Sequence, residues 1–150
     1  HFSSAASAVS KRQALEGMAA RLAAKHMTGQ EIAQLGALVA EHSQQLEQDA
    51  GDTHFQRVGD LDFHFLIVQG SHNSRLINLL CDDLYHLVRM YRYQFGLTSQ
   101  RIKPALAEHR LIVDVIAAGD GEMAELMMRR HVRASRENLE RMLSRSDSPD

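Results

Sequence analysis

The sequence predicts an all-α protein, an antiparallel bundle of six to seven helices. Apolar residues recur at intervals of three and four through successive segments. Helix formers dominate, with two prolines among 150 residues. No segment keeps the strict alternation of a half-buried strand. Hydrophobic residues make up 44% and charged residues 24%, a balance that supports one packed domain and argues against disorder.

The first helix is expected from about Ala5 to Met27, with Leu15, Met18/Ala19 and Leu22/Ala23 on its apolar face. Thr28 with Glu31 three positions later forms a capping box that opens the second helix, and Gly51 in "DAGD" ends it. A third runs from about Thr53 to Gln69, and "GSHN" turns the chain into a fourth, from about Asn73 to Phe95. The fifth is expected from Pro104, tolerated in a first helical turn, to Ala118. "GLTSQRIK" ahead of it is where a seventh, single-turn helix would fit. Asp120 caps a sixth helix, Gly121 to Ser144. Residues 1–10 read as an N-terminal tail or cloning remnant, 11–145 as the bundle and 146–150 as a C-terminal tail.

Composition excludes several function classes. The formal net charge is −2, and basic residues are interleaved with acids, as in "RRHVRASRENLERMLSR". The chain therefore lacks the basic excess expected of a DNA-binding domain. No apolar run nears the ~20 residues of a membrane span, and none has the pattern of a signal peptide. Cys81 is the only cysteine, which excludes an internal disulfide and suits a reducing, cytoplasmic setting.

The chemistry concentrates in three helices. Asp60 and His64 stand at i and i+4, one above the other on a face that Val68 continues. On the fifth helix His109 lies in line with Ala105, Ile112/Val113 and Ile116, and on the sixth His131 lies in line with Met127 and Ala134. Three imidazoles and a carboxylate on inward faces suit a first-row divalent metal with coordination positions left open. Each histidine alone reads more readily as a hydrogen-bonded core or partly exposed residue than as a ligand, because helical spacing gives a face and not a neighbour.

"KRQALEGMAARLAA", "DLDFHFLI…GSHNSRL" and "EHRLIVDVIAAGDGEMAELMMRRHV" occur in that order. Together they resemble the signature segments of the FCD domain, the C-terminal effector-binding domain of FadR-subfamily, GntR-type bacterial transcription regulators. The likeness extends from about Lys11 to Leu143, with Val115 where the family usually has alanine. It implies a helical bundle with a metal at the bottom of an internal cavity, held here by Asp60, His64, His109 and His131. Zinc is the expected occupant, with nickel or manganese as alternatives.

The resemblance also implies a small organic acid as effector, a homodimer, and DNA contact through a winged helix-turn-helix domain that lies outside this chain. Arg12 would grip the effector's carboxylate, or else pair with Glu16 one turn on. Arg89 and Arg92 are further effector candidates, although both project mainly away from the apolar face of their helix and would equally serve a dimer contact. Asn73 would contact the effector or cap the fourth helix. Two other readings use the same ligands: a mononuclear-metal bundle enzyme, or a dimerisation module with a structural metal. The absence of an H-E-x-x-H or E-x-x-H pattern argues against the enzyme.

Overall fold

The computed structural model describes residues 2–48, 54–84 and 99–146. The side chains of residues 2–6, 8–9, 54–61, 82–84, 99–100, 139, 143 and 146 lie outside that description. The described residues form six α-helices and no strand: α1 (Phe2–His26), α2 (Gly29–Gln48), α3 (His54–Gly70), α4 (Ser74–Asn78), α5 (Ser99–Ala117) and α6 (Gly121–Ser146). Beyond Asn78, α4 widens into a π-helical stretch, Leu79–Leu84. None of these helices is long and apolar enough to cross a membrane.

Local chemistry sets most of the boundaries. Thr28 Oγ1 accepts from the Glu31 amide at 3.2 Å, and Glu31 Oε2 accepts from the Thr28 amide at 2.7 Å. This is the expected reciprocal capping box. Asn73 Oδ1 accepts from the amides of Arg75 and Leu76 and so caps α4. Between α5 and α6, Gly119 adopts φ +72°. Its amide donates to the Ile116 carbonyl at 2.9 Å, and the Asp120 amide donates to Val115 at 3.0 Å, a Schellman closure. Asp120 Oδ1 then accepts from the Met123 amide at 3.0 Å, capping α6 as expected.

Several boundaries depart from the sequence reading. The chain is helical from Phe2, so most of the expected tail, residues 1–10, is the first two turns of α1. Its alanine-rich "SSAASA" has the propensity to extend the helix. Helix α5 begins at Ser99 rather than Pro104. The extra turn buries Arg101 and Ile102, and this packing outweighs the hydrogen bond that Pro104 cannot donate. That turn takes the place of the separate seventh helix considered for this segment. Met18 is 40% exposed, because the buried face of α1 runs through Ala19, Ala20 and Ala23. The expected end of the second helix at Gly51, and the fourth helix beyond Leu84, lie outside the described residues.

Helix α1 packs most extensively along α6 and also meets α3 and α5. The contacts define direction. Gly17 lies against Arg129, and Gly121 lies against Arg21 and Lys25, so α1 and α6 are antiparallel. Gly70 lies against Met27, and Glu16 reaches His64, so α1 and α3 run parallel. A Cβ on Gly17 would come 2.7 Å from Arg129 Cγ, so glycine here lets the arginine cross over α1. The main core joins Ala20 and Ala23, Leu35 and Val39, Phe63 and Ile67, Ile112 and Ile116, and Met128 and Val132 from five helices. A satellite core of Ala19, Val68, Leu76 and Leu80 seats α4.

Candidate metal centre

The main core supplies the frame for the polar site. His64 follows Phe63 on α3, His109 precedes Ile112 by one turn on α5, and His131 lies beside Val132 on α6. All three histidines are at most 2% exposed. Their rings converge: His64 Nε2 lies 3.1 Å from His131 Nε2, and His109 Nε2 lies 3.2 Å from the same atom. The expected helical faces therefore meet. Asp60 falls within α3, but its side chain lies outside the described residues, as do Arg89 and Arg92.

Each ring is oriented from behind. His64 Nδ1 pairs with Glu16, whose carboxylate also takes the Arg12 guanidinium one turn earlier on α1. Arg12 and Glu16 are 3% and 1% exposed, making this a buried pair. His131 Nδ1 lies 2.6 Å from Glu108 Oε2. Arg101 grips Glu108 with both terminal nitrogens, Nη1 to Oε1 at 2.8 Å and Nη2 to Oε2 at 2.5 Å. Nη2 also lies 3.4 Å from the His131 carbonyl. Phe63 stacks on His109 with ring centroids 3.8 Å apart and planes inclined by 17°.

Both glutamates are held ionised. Burial would raise the Glu16 carboxyl, but the charges of Arg12 and His64, with their hydrogen bonds, bring it down to about 2. At Glu108 partial burial acts in the same direction, and hydrogen bonds from His131 and Arg101, followed by their charges, again bring it down to about 2. An ionised carboxylate only accepts, so Nδ1 is the donor in both histidines. The Nε2 atoms of His64 and His131 then face each other across 3.1 Å.

Such an arrangement could hold a cation between the rings. A proton can bridge one pair, whereas a metal ion could take all three nitrogens as ligands. Metal–nitrogen bonds of about 2.0–2.1 Å place adjacent ligand nitrogens roughly 3 Å apart, which matches the observed separations. Three buried imidazole nitrogens, two of them backed by carboxylates, are a donor set that fits zinc or a similar divalent ion.

Sequence reasoning placed the three histidines and the Arg12–Glu16 pair, which it left open against an effector role for Arg12. It did not anticipate that Glu16 turns to His64, that Glu108 turns to His131, or that Arg101 takes part. The available signal was weak: Arg101 and Glu108 are two turns apart on one face, flanked by the buried Ile102, Ala105 and Leu106. Asn73, considered for effector contact, uses its side-chain oxygen as the α4 cap.

Comparisons with known proteins agree with this fold. The FCD domain family profile matches residues 8–134. The chain is 31% identical over 132 residues to the "Probable D-xylose utilization operon transcriptional repressor" of Paenarthrobacter nicotinovorans, covering 85% of this chain and 54% of that protein. It is 29% identical over 131 residues to the "Uncharacterized HTH-type transcriptional regulator YdhC" of Bacillus subtilis (strain 168), covering 86% and 57%. The chain thus spans about half the length of these curated relatives. Among solved structures, E. coli McbR/YncC superposes with a TM-score of 0.72 at 20% identity, over 90% of this chain and 63% of that one. The curated relatives are named as regulators, which favours a regulatory domain over an enzyme.

Proposed function

Because the chain belongs to the FCD domain family, a domain of transcription regulators, we propose that it is a metal-dependent effector sensor. It binds a small organic acid and modulates DNA binding by another part of the regulator. The supporting observation is the convergence of three buried Nε2 atoms at 3.1 and 3.2 Å. His64, His109 and His131 hold the ion, with Asp60 as the fourth ligand, one turn before His64 on α3. A bound divalent ion supplies a Lewis-acidic floor for carboxylate or hydroxyl oxygens; zinc is the proposed occupant, with nickel and manganese as alternatives.

Charge balance supports an anionic effector. Arg12 cancels Glu16 and Arg101 cancels Glu108, and imidazoles bind a metal as neutral ligands. The positive charge of a divalent ion is then only half compensated by Asp60, leaving one negative charge for the ligand to supply. Arg12 lies behind this floor, and its pairing with Glu16 makes its effect on effector affinity indirect through His64, with direct grip as the alternative. Arg89, Arg92 and Asn73 remain secondary candidates for effector contact. The sensor works as a homodimer, matching a two-fold operator, and sedimentation equilibrium at micromolar concentration checks this.

A thermal-shift screen of hydroxy acids, sugar acids and dicarboxylates tests the function. Zinc-loaded and chelator-stripped protein are compared side by side. A true effector raises the melting temperature only with metal present, and less after Arg12→Ala. Equal shifts with and without metal would break the mechanism. Turnover of an acid would favour the enzyme reading instead, and no shift across the panel a structural metal.

A further inference from the structure

The site contains a second layer that the ligand set does not include. Glu16 and Arg12 come from α1, and Glu108 and Arg101 from α5. Each glutamate joins an arginine to the Nδ1 of a different converging histidine. The two series end on Nε2 atoms only 3.1 Å apart. Resting on the metal reading above, we propose that Glu16 and Glu108 are positioning residues that set the metal affinity of the site through His64 and His131. They do not touch the ion.

The geometry provides the mechanism. A carboxylate that accepts from Nδ1 selects one tautomer, so the lone pair stays on Nε2, and it fixes the ring's rotation about its side-chain bonds. It also makes the imidazole a stronger donor to a cation on the opposite nitrogen. The arginines keep each carboxylate from swinging away. Arg101 does so with a two-pronged grip, which fixes the carboxylate plane as well as its position. His109 is oriented differently, by the face of Phe63. The site is therefore asymmetric: two ligands are strengthened electrostatically and the third is aligned by packing.

The test uses the 150-residue chain and three variants: Glu16→Gln, Glu108→Gln and the double variant Arg12→Gln/Glu16→Gln. Zinc affinity is measured by competition with a chromophoric chelator, cobalt uptake by its visible absorption bands, and the metal-free melting temperature alongside. Each glutamine variant should bind zinc about 10–100-fold more weakly and show displaced cobalt bands. Glu108 is 33% exposed but its partner Arg101 is buried, so its variant should also lower the metal-free melting temperature somewhat; the displaced cobalt bands are the readout that a merely structural residue would leave unmoved. If Glu16→Gln does not fold because Arg12 is left unpaired, the double variant removes both charges and answers the same question. Normal zinc binding by the parent with affinities unchanged in Glu108→Gln and in the α1 variants would overturn the inference and leave the metal sensor intact. A parent chain that takes up neither zinc nor cobalt would overturn both.

Discussion

His109 shows how a single contact can orient a candidate ligand. Phe63 is fully buried and lies face-on to its ring, so a leucine would keep the apolar filling and lose the flat surface. Phe63→Leu should cost about 1–2 kcal/mol of stability, from the stacked pair and a small cavity, and should also weaken zinc binding in a chelator competition. Glu31 is a second test at this scale. Its carboxyl lies below the ordinary 4.5, first because the Thr28 amide donates to it and then because His72 does. A depressed carboxyl contributes stability above its unfolded value, and that contribution is lost as pH falls through the folded value. Glu31→Gln should therefore show a flatter fall in urea midpoint below about pH 5 than the parent does. The sequence made the three histidines legible because they fall on apolar faces and within recognisable motifs. It could not show Glu16 turning to His64, because register along α1 says nothing about which residue α3 brings alongside.

Helix ends were the most readable elements. Thr28 with Glu31, and Asp120 ahead of α6, act through bonds to residues within three positions, so they could be anticipated from short spacings alone. The start of α5 could not, since burial of Ile102 and Arg101 against distant helices decides it. The π-helical stretch Leu79–Leu84 likewise has no short-range signature in "LLCDDL". Gly17 looks like a flaw in a helix interior, costing about 0.5–1 kcal/mol relative to alanine, until Arg129 is seen crossing it. The α5–α6 corner gives a sharp element-scale prediction. Gly119→Ala forces a side chain into φ +72° and should cost about 1–2 kcal/mol. Urea denaturation should show a lower midpoint with an unchanged slope, and zinc affinity should stay at the parent value because the turn is remote from the histidines.

For the molecule as a whole, three histidine-bearing helices meet at one point, so a metal bound there would stabilise the bundle by mass action. Zinc at a hundredfold excess over its dissociation constant should add about 2.7 kcal/mol, seen as a higher melting temperature that a chelator reverses. Helix α1 brings none of the three converging histidines, yet it is tied on two sides. Glu16 holds His64, and the adjacent Gly17 receives Arg129 from α6. A helix advances about 1.5 Å and turns by about 100° per residue, so sliding α1 by even one step would pull Glu16 out of reach and drive another side chain into Arg129. Helix α1 is thus indexed like a key in a keyway. Displacing it along its axis and filling the histidine centre act on one mechanical coordinate, and by reciprocity whatever work one end exerts on the other is returned in equal measure.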